Sequence, residues 1–129
     1  MQSIGDILVI DNEPTIVDFI AEALTDEGYT VRTALDPQDA RATITARHPD
    51  LVLLDLHMPG TNGDVLARNI KNDGLVDVPI VMMTADAQIA KSLSMEDIDY
   101  CLAKPFDLDE LIECVAKYIR RSGTAAKLA

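Results

Sequence analysis

Four polar side chains stand where they could handle a phosphoryl group and a divalent cation. Asp11, Asp55, Thr84 and Lys104 each follow directly on a run of four apolar residues. Short aliphatic runs of this kind predict strands of a parallel sheet that is buried on both faces. Ligands bind outside the carboxyl ends of such strands, so we expect the four side chains to share one site.

Each of the four residues fits a separate part of phosphoryl chemistry. Asp55 precedes a Gly-rich loop, and we expect its carboxylate to be exposed and able to attack phosphorus, giving an acyl phosphate. Asp11 is the natural partner for a cation, because the first and third strands of doubly wound sheets are usually neighbours. Oxygen ligands favour Mg²⁺ or Mn²⁺ over zinc. Lys104 supplies a fixed positive charge, and the Thr84 hydroxyl supplies a donor.

The same residues also have ordinary structural interpretations. Asp11 and Thr84 could each cap a following helix. Lys104 could be a solvated surface lysine. His57 could be a base or a ligand, although a single histidine in a loop is more often neither. The functional interpretation depends on all four residues ending separate strands of one sheet.

The segments between the strands contain residues that are typical of the starts and ends of helices. Pro14 opens a first helix that ends near Gly28, and residues 29–33 alternate like an edge strand. Further helices are predicted from Asp36-Pro37 to about residue 47, from the loop 58–63 to about residue 73, and from the cap Asp107-Glu110 onwards. A short helical pattern between Thr84 and Tyr100 involves Ile89, Ala90 and Leu93. The buried faces are predicted to contain Ile16, Phe19, Ile20, Ala23 and Leu24 in the first helix, and Leu108, Leu111, Ile112, Val115 and Ile119 in the last. This order is a βα unit repeated five times, with helices on both sides of a parallel sheet.

Bulk composition restricts the classes of partner. The 129 residues fit one domain, and 48% of them are hydrophobic, which is ample for a buried sheet. A net charge of −11 argues against nucleic acid or anionic membrane as a direct partner. No apolar stretch approaches the length of a membrane span, and the N-terminus lacks signal-peptide features, so we expect a soluble cytoplasmic protein. Cys101 and Cys114 are predicted to be buried free thiols.

Four segments carry a resemblance to a known family. They are Ile-Leu-Val-Ile-Asp-Asn-Glu-Pro at 7–14, Leu-Leu-Asp-Leu-His-Met-Pro-Gly at 53–60, Met-Thr-Ala at 83–85 and Ala-Lys-Pro-Phe at 103–106. In this order the chain resembles, from about Ile7 to Arg121, the receiver domain of two-component response regulators, of the chemotaxis-regulator type. The resemblance implies a flavodoxin-like (βα)₅ three-layer sandwich with a parallel five-stranded sheet of order 2-1-3-4-5. Residues 1–121 would form this receiver domain, and residues 122–129 a flexible C-terminal tail.

The resemblance also implies roles for individual residues. Asp55 would be the phosphoacceptor, modified by a histidine kinase or a histidine phosphotransfer protein. Mg²⁺ (or Mn²⁺) would be held by Asp11, Asp55 and the backbone carbonyl of His57, while Thr84 and Lys104 contact the phosphoryl group. The bond before Pro105 would be cis. Such a protein receives and hydrolyses its own phosphoryl group and is not a turnover enzyme on a separate substrate.

The chain departs from the family pattern in three places. Asn12 stands at the second acidic position, where an amide keeps an oxygen ligand but removes a charge, and this should weaken Mg²⁺ binding. Cys101 occupies the position of the aromatic switch residue that works with Thr84. Tyr100 lies one step earlier and should face the opposite side of the sheet. The segment between Thr84 and Lys104 is about two residues shorter than usual.

Three functions remain to be compared. The first is a single-domain receiver that signals to an unknown downstream protein through the fourth helix, fifth strand and last helix. The second is a receiver-like protein-interaction module that works without phosphorylation, which Asn12 and Cys101 favour. The third is a phosphatase with Asp55 as nucleophile, although such enzymes typically place an Asp where His57 stands.

Overall fold

Five parallel strands form the sheet, of which four contain the apolar runs and the fifth covers most of the alternating segment predicted at 29–33. The computed structural model describes residues 3–58, 61–74, 77–86, 88 and 97–119. The strands are β1 Asp6–Ile10, β2 Thr30–Ala34, β3 Leu51–Asp55, β4 Ile80–Thr84 and β5 Tyr100–Ala103. They lie in the order β2-β1-β3-β4-β5, which confirms the flavodoxin-like arrangement. A separate antiparallel pair of two-residue strands, His57–Met58 with Thr61–Asn62, is left out of this numbering.

Four helices are described, and their N-termini follow the sequence signals. They are α1 Pro14–Asp26, α2 Pro37–Ala46, α3 Gly63–Asn72 and the C-terminal helix Leu108–Tyr118. The carboxylates of Asp36 and Asp107 accept hydrogen bonds of 2.8 Å from the backbone N–H groups of Asp39 and Glu110, as expected of N-caps. None of the helices within the described ranges has the length and hydropathy needed to cross a membrane.

The strands alternate their side chains between two apolar cores, one on each face of the sheet. Leu8 and Leu54 point to the core shared with α2 and α3. Val9 and Leu53 point to the core shared with α1 and the C-terminal helix. This period of two on strands buried on both faces builds the predicted three-layer sandwich.

Two residues predicted to be buried are exposed. Phe19 is 44% exposed, and Val17 is buried in its place. The buried stripe of α1 runs through Val17, Ile20 and Leu24, and Phe19 lies about 100° around the helix from Ile20. Leu108 is exposed because it is the first residue of its helix, ahead of the turn that meets the sheet.

Other predictions are changed in detail or lie outside the described residues. Cys114 is buried as predicted, but Cys101 is half-buried, because β5 is an edge strand. Predictions that fall on residues without a described placement concern the helical pattern of Ile89, Ala90 and Leu93, residues 59–60 of the predicted loop, and the tail at 122–129.

The side chain of Arg32 links α2 to the end of the sheet at which the strands begin, which we call the amino edge. From β2, the guanidinium of Arg32 donates to the carbonyl oxygens of Thr43 at 2.8 Å and Arg47 at 2.7 Å, at the C-terminal end of α2. It also pairs with the carboxylate of Asp6 at 3.1 Å, and Arg47 pairs with the other oxygen of Asp6 at 2.7 Å. This network lies at the opposite edge of the sheet from the strand endings that carry Asp11 and Asp55.

Candidate functional site

Three of the four residues predicted to form the site are joined by hydrogen bonds. β1 and β3 pair with Ile10 opposite Leu54, so Asp11 and Asp55 leave neighbouring strands at the same edge. The Lys104 ammonium reaches both carboxylates, with Nζ 3.0 Å from Oδ2 of Asp11 and 3.2 Å from Oδ1 of Asp55. The structure therefore brings together a nucleophilic carboxylate, a second carboxylate and a cation.

The expectation that the Asp55 carboxylate is freely exposed is wrong. The side chains of Asp11, Asp55 and Lys104 are 0%, 6% and 16% exposed. Asp55 is covered because β3 is the central strand of the sheet and Lys104 lies against its carboxylate. Lys104 is the most accessible of the three side chains.

The site carries more negative than positive charge. Burial raises the pKa of the Asp55 carboxyl, and the charge of Asp11 raises that pKa further, while Lys104 lowers it. Burial also lowers the pKa of the Lys104 ammonium, but the hydrogen bonds and charges of Asp11 and Asp55 outweigh it, so this pKa is raised overall. One ammonium thus serves two carboxylates, which leaves an excess charge that an added cation would offset.

Backbone N–H groups hold both carboxylates in place. The N–H of Glu13 donates to Oδ1 of Asp11 at 3.0 Å. The backbone of His57 makes a hydrogen bond to the Asp55 carboxyl that lowers its pKa. The sequence predicted a role for the carbonyl of His57, and this N–H contact is an addition. The His57 side chain is exposed.

Gly63 allows α3 to begin directly against the backbone of Asp55. A Cβ atom at this position would lie 2.4 Å from the carbonyl oxygen of Asp55 and 2.9 Å from Cα of Leu56. The Gly63 N–H donates to the carbonyl of Leu56 at 2.7 Å. Gly63 was predicted to be the last residue of the loop 58–63, whereas it is the first residue of α3. Its place immediately before an amphipathic stretch is the signal that could have identified a close approach.

Thr84 ends β4 at the same edge of the sheet, and its hydroxyl already has a local contact. Its neighbour Met83 lies opposite Asp55 in the register of β3 and β4. The hydroxyl oxygen of Thr84 accepts from the N–H of Asp86 at 3.0 Å, and the residue is buried. This contact stabilises the turn after β4, and the helix that Thr84 was alternatively predicted to cap lies largely outside the described residues. The Lys104–Pro105 bond is cis, as the resemblance implies.

Two of the three departures from the family pattern fall on described residues, while most of the shortened segment between Thr84 and Lys104 lies outside them. Asn12 is exposed beside Asp11. Cys101 packs against the core shared with α2 and α3. Tyr100 points to the other face, where its ring stacks on Tyr118 with centroids 5.0 Å apart. Tyr100 and Cys101 therefore lie on opposite sides of β5, and one cannot replace the other.

A hard divalent cation fits the oxygen donors at this edge. Within the described ranges, no three His, Cys, Asp or Glu side chains are grouped to hold a metal. The two carboxylates of Asp11 and Asp55 are grouped, however, and their combined charge exceeds that of Lys104. The amide of Asn12 and the carbonyl of His57 would have to complete such a ligand set.

A family model and the sequences of curated proteins both match this chain to response regulators. The family model described as response regulator receiver domain matches residues 7–116. The phosphate regulon transcriptional regulatory protein PhoB of Pseudomonas aeruginosa is 41% identical over 120 residues, covering 91% of this chain and 52% of that protein. The chain spans about half the length of the curated relatives that it matches.

Solved structures agree with these sequence matches. The receiver domain of NtrX from Brucella abortus has a TM-score of 0.81 and 37% identity, covering 88% of this chain and 97% of that one. The response regulator TrrA from Thermotoga maritima, in complex with Mg²⁺ and BeF, has a TM-score of 0.81 and 35% identity. That match covers 92% of this chain and 100% of the other.

Proposed function

The chain belongs to the response regulator receiver domain family, and we propose that Asp55 accepts a phosphoryl group from a histidine kinase or histidine phosphotransfer protein. The observation that carries this proposal is the Lys104 ammonium shared by the carboxylates of Asp11 and Asp55 at the carboxyl edge of the sheet. A nucleophile, a second acid and a fixed cation are the groups that phosphoryl transfer to a carboxylate needs.

The proposed reaction exchanges one bond to phosphorus for another. An oxygen of Asp55 attacks phosphorus and forms the acyl phosphate bond, while the bond from phosphorus to the donor nitrogen breaks and its electron pair stays on the imidazole. Lys104 is placed to pair with the charge on the phosphoryl oxygens. Lys104 contacts only Oδ1 of Asp55, at 3.2 Å, so an ammonium already lies beside the carboxylate that would carry the phosphoryl group.

Asp11 and Asp55, with the amide of Asn12 and the carbonyl of His57, are the proposed holders of Mg²⁺. When bound, this cation would neutralise charge on the phosphoryl oxygens. Support comes from the oxygen-only donor set, from the excess negative charge and from TrrA, whose complex contains Mg²⁺ and BeF. Hydrolysis of the acyl phosphate by water would return Asp55 to its carboxylate form, so the protein carries a reversible signal and does not turn over a separate substrate.

The proposed output is contact with a downstream protein. β5 and the C-terminal helix form the described part of the surface that we propose for signalling, since Lys104 links the end of β5 to Asp55. A change of charge on Asp55 would therefore alter the contacts of the segment that joins these two elements.

The proposal is tested by phosphorylation with acetyl phosphate and Mg²⁺. We expect the wild-type protein to gain one phosphoryl group, measured by intact mass, and Asp55→Asn to lose at least 100-fold of the labelling rate. Asp18→Asn is the matched control, since Asp18 is an exposed aspartate on α1. Equal labelling of the wild type and Asp55→Asn, or no labelling of either, would contradict the proposal.

A further inference from the structure

A groove runs between β5 and the C-terminal helix, outside the carboxylate site. Its volume is about 240 Å³, which is below the usual range for drug-sized ligands and suits a single long side chain. We call it the tyrosine groove, and it is lined by Tyr100, Leu102, Glu110, Glu113, Cys114, Lys117 and Tyr118.

The base of the tyrosine groove is apolar and one wall is aromatic. Leu102 and Cys114 are buried. Burial raises the pKa of the Cys114 thiol to about 11, so the thiol at the bottom of the groove is uncharged at neutral pH. The stacked rings of Tyr100 and Tyr118 lie at an interplanar angle of 20°, and Tyr100 is 40% exposed. Exposed aromatic rings over a buried apolar base are typical of anchoring sites for a partner side chain.

The charge at the tyrosine groove favours a cation. Glu110 and Glu113 are exposed and lie three residues apart, so they share a side of the C-terminal helix. Lys117 also lines the groove, with its ammonium 5.4 Å from the centre of the Tyr118 ring, so the lining carries two carboxylates against one ammonium. The chain as a whole carries a net charge of −11.

We propose that the tyrosine groove binds an arginine side chain of a protein partner. The guanidinium would stack on the exposed ring of Tyr100 and pair with Glu110 and Glu113, while its methylene stem covers the base. Arginine fits better than lysine because its planar group can stack and donate two parallel hydrogen bonds at once. This inference deepens the proposed function, on which it rests for the location of the signalling surface.

The test is a nuclear magnetic resonance titration of the unphosphorylated 129-residue protein with the peptide acetyl-Leu-Arg-Arg-Leu-amide. We expect chemical-shift changes confined to β5 and the C-terminal helix. Replacing both arginines by neutral citrulline, or by lysine, should weaken binding at least tenfold and threefold, respectively. The double variant Glu110→Gln, Glu113→Gln should weaken binding at least tenfold.

Two further variants separate this groove from the general acidity of the surface. Tyr100→Leu keeps the apolar area but removes the aromatic face, and it should weaken binding at least threefold with an unchanged circular dichroism spectrum. Glu22→Gln removes an exposed carboxylate from α1 and should leave binding within twofold of wild type.

The inference is overturned if the citrulline or lysine peptide binds as well as the arginine peptide. It is also overturned if shift changes spread over the acidic surface or if Glu22→Gln weakens binding as much as the double variant. Because the titration uses no phosphoryl donor, its failure leaves the Asp55 labelling result intact, and a failure of labelling leaves the titration interpretable.

Discussion

At the scale of residues, the central feature is one ammonium shared by two carboxylates. Lys104 bridges Asp11 and Asp55 although the three come from separate strand ends. Burial strengthens each of these contacts, since little water screens them. The arrangement is also unbalanced, because a single positive charge faces two negative ones, and this imbalance is where a divalent cation would contribute.

Asn12 provides a prediction about metal affinity at this scale. Restoring a carboxylate with Asn12→Asp should tighten Mg²⁺ binding about tenfold, which corresponds to about 1.4 kcal/mol, because affinity rises with the number of charged ligands. Mg²⁺ titration followed by nuclear magnetic resonance measures the effect without any phosphoryl donor.

The matched control for this prediction is Asn72→Asp, which makes the same chemical change at the far end of α3. It should leave Mg²⁺ affinity within twofold of wild type. If both variants tighten binding equally, general surface charge explains the effect and the assignment of Asn12 fails.

The sequence predicted which residues belong to the site, but it did not predict how their side chains are arranged. Asp11, Asp55 and Lys104 were predicted to lie close together because parallel strands deliver their endings to one edge. Nothing in the sequence reveals that Lys104 contacts both acids or that Asp55 is almost covered, since both depend on side-chain reach across β4. The turn contact between Thr84 and Asp86 is local, whereas the alternative predicted for Thr84 was a helix cap.

At the scale of elements, α3 can begin against the backbone of Asp55 because Gly63 has no side chain. Gly63→Ala would place a methyl group 2.4 Å from the Asp55 carbonyl oxygen, a backbone atom that cannot turn away. We expect the free energy of unfolding to fall by about 2 kcal/mol. We also expect slower labelling of Asp55 by acetyl phosphate, because the backbone that carries the nucleophile must shift.

Gly74→Ala is the control for this effect. Gly74 has φ of +102° and open space around its Cβ position, so alanine there should cost about 1–2 kcal/mol through backbone strain alone. Labelling of Asp55 should be unchanged in Gly74→Ala. A labelling rate for Gly63→Ala equal to that of Gly74→Ala would contradict the proposed positioning role.

Elements with a strong hydrophobic pattern were predicted well from the sequence, but the exposure of single residues within them was predicted less well. The strands β1, β3 and β4 each contain an uninterrupted run of four apolar residues, and the caps at Asp36 and Asp107 are local signals. Phe19 shows the limit, since an apolar residue next to a buried stripe looks like part of it until the angle at which the helix packs is known.

At the scale of the whole molecule, the carboxyl edge and the amino edge of the sheet carry different groups of charged residues. The carboxyl edge holds the acids and Lys104, whereas the amino edge holds the Arg32 network that fastens α2. The sequence did not predict this network, because its contacts join β2 to the end of α2 and to β1, and no local pattern encodes them.

Removal of the Arg32 network should affect stability and spare the chemistry. Arg32→Gln should lower the free energy of unfolding by about 2 kcal/mol, since two backbone carbonyls and the partly buried Asp6 carboxylate lose a charged donor. Urea denaturation measures this loss, and labelling of Asp55 under native conditions should stay within twofold of wild type.

Arg41→Gln is the comparison for Arg32→Gln. Arg41 pairs with Asp73 at 2.7 Å, but both side chains are about half exposed, so its loss should cost less than about 0.5 kcal/mol. Equal destabilisation by the two variants would show that Arg32 contributes no more than an ordinary surface ion pair.

The separation of the two edges has a practical use. His48 follows the end of α2 on the amino side, and its exposed side chain lies away from the strand endings that carry Asp11 and Asp55. A fluorophore or a surface linker attached at this position could immobilise the protein while leaving the opposite edge open to a phosphoryl donor. Single-molecule recordings of acyl phosphate lifetime could then be made on tethered protein.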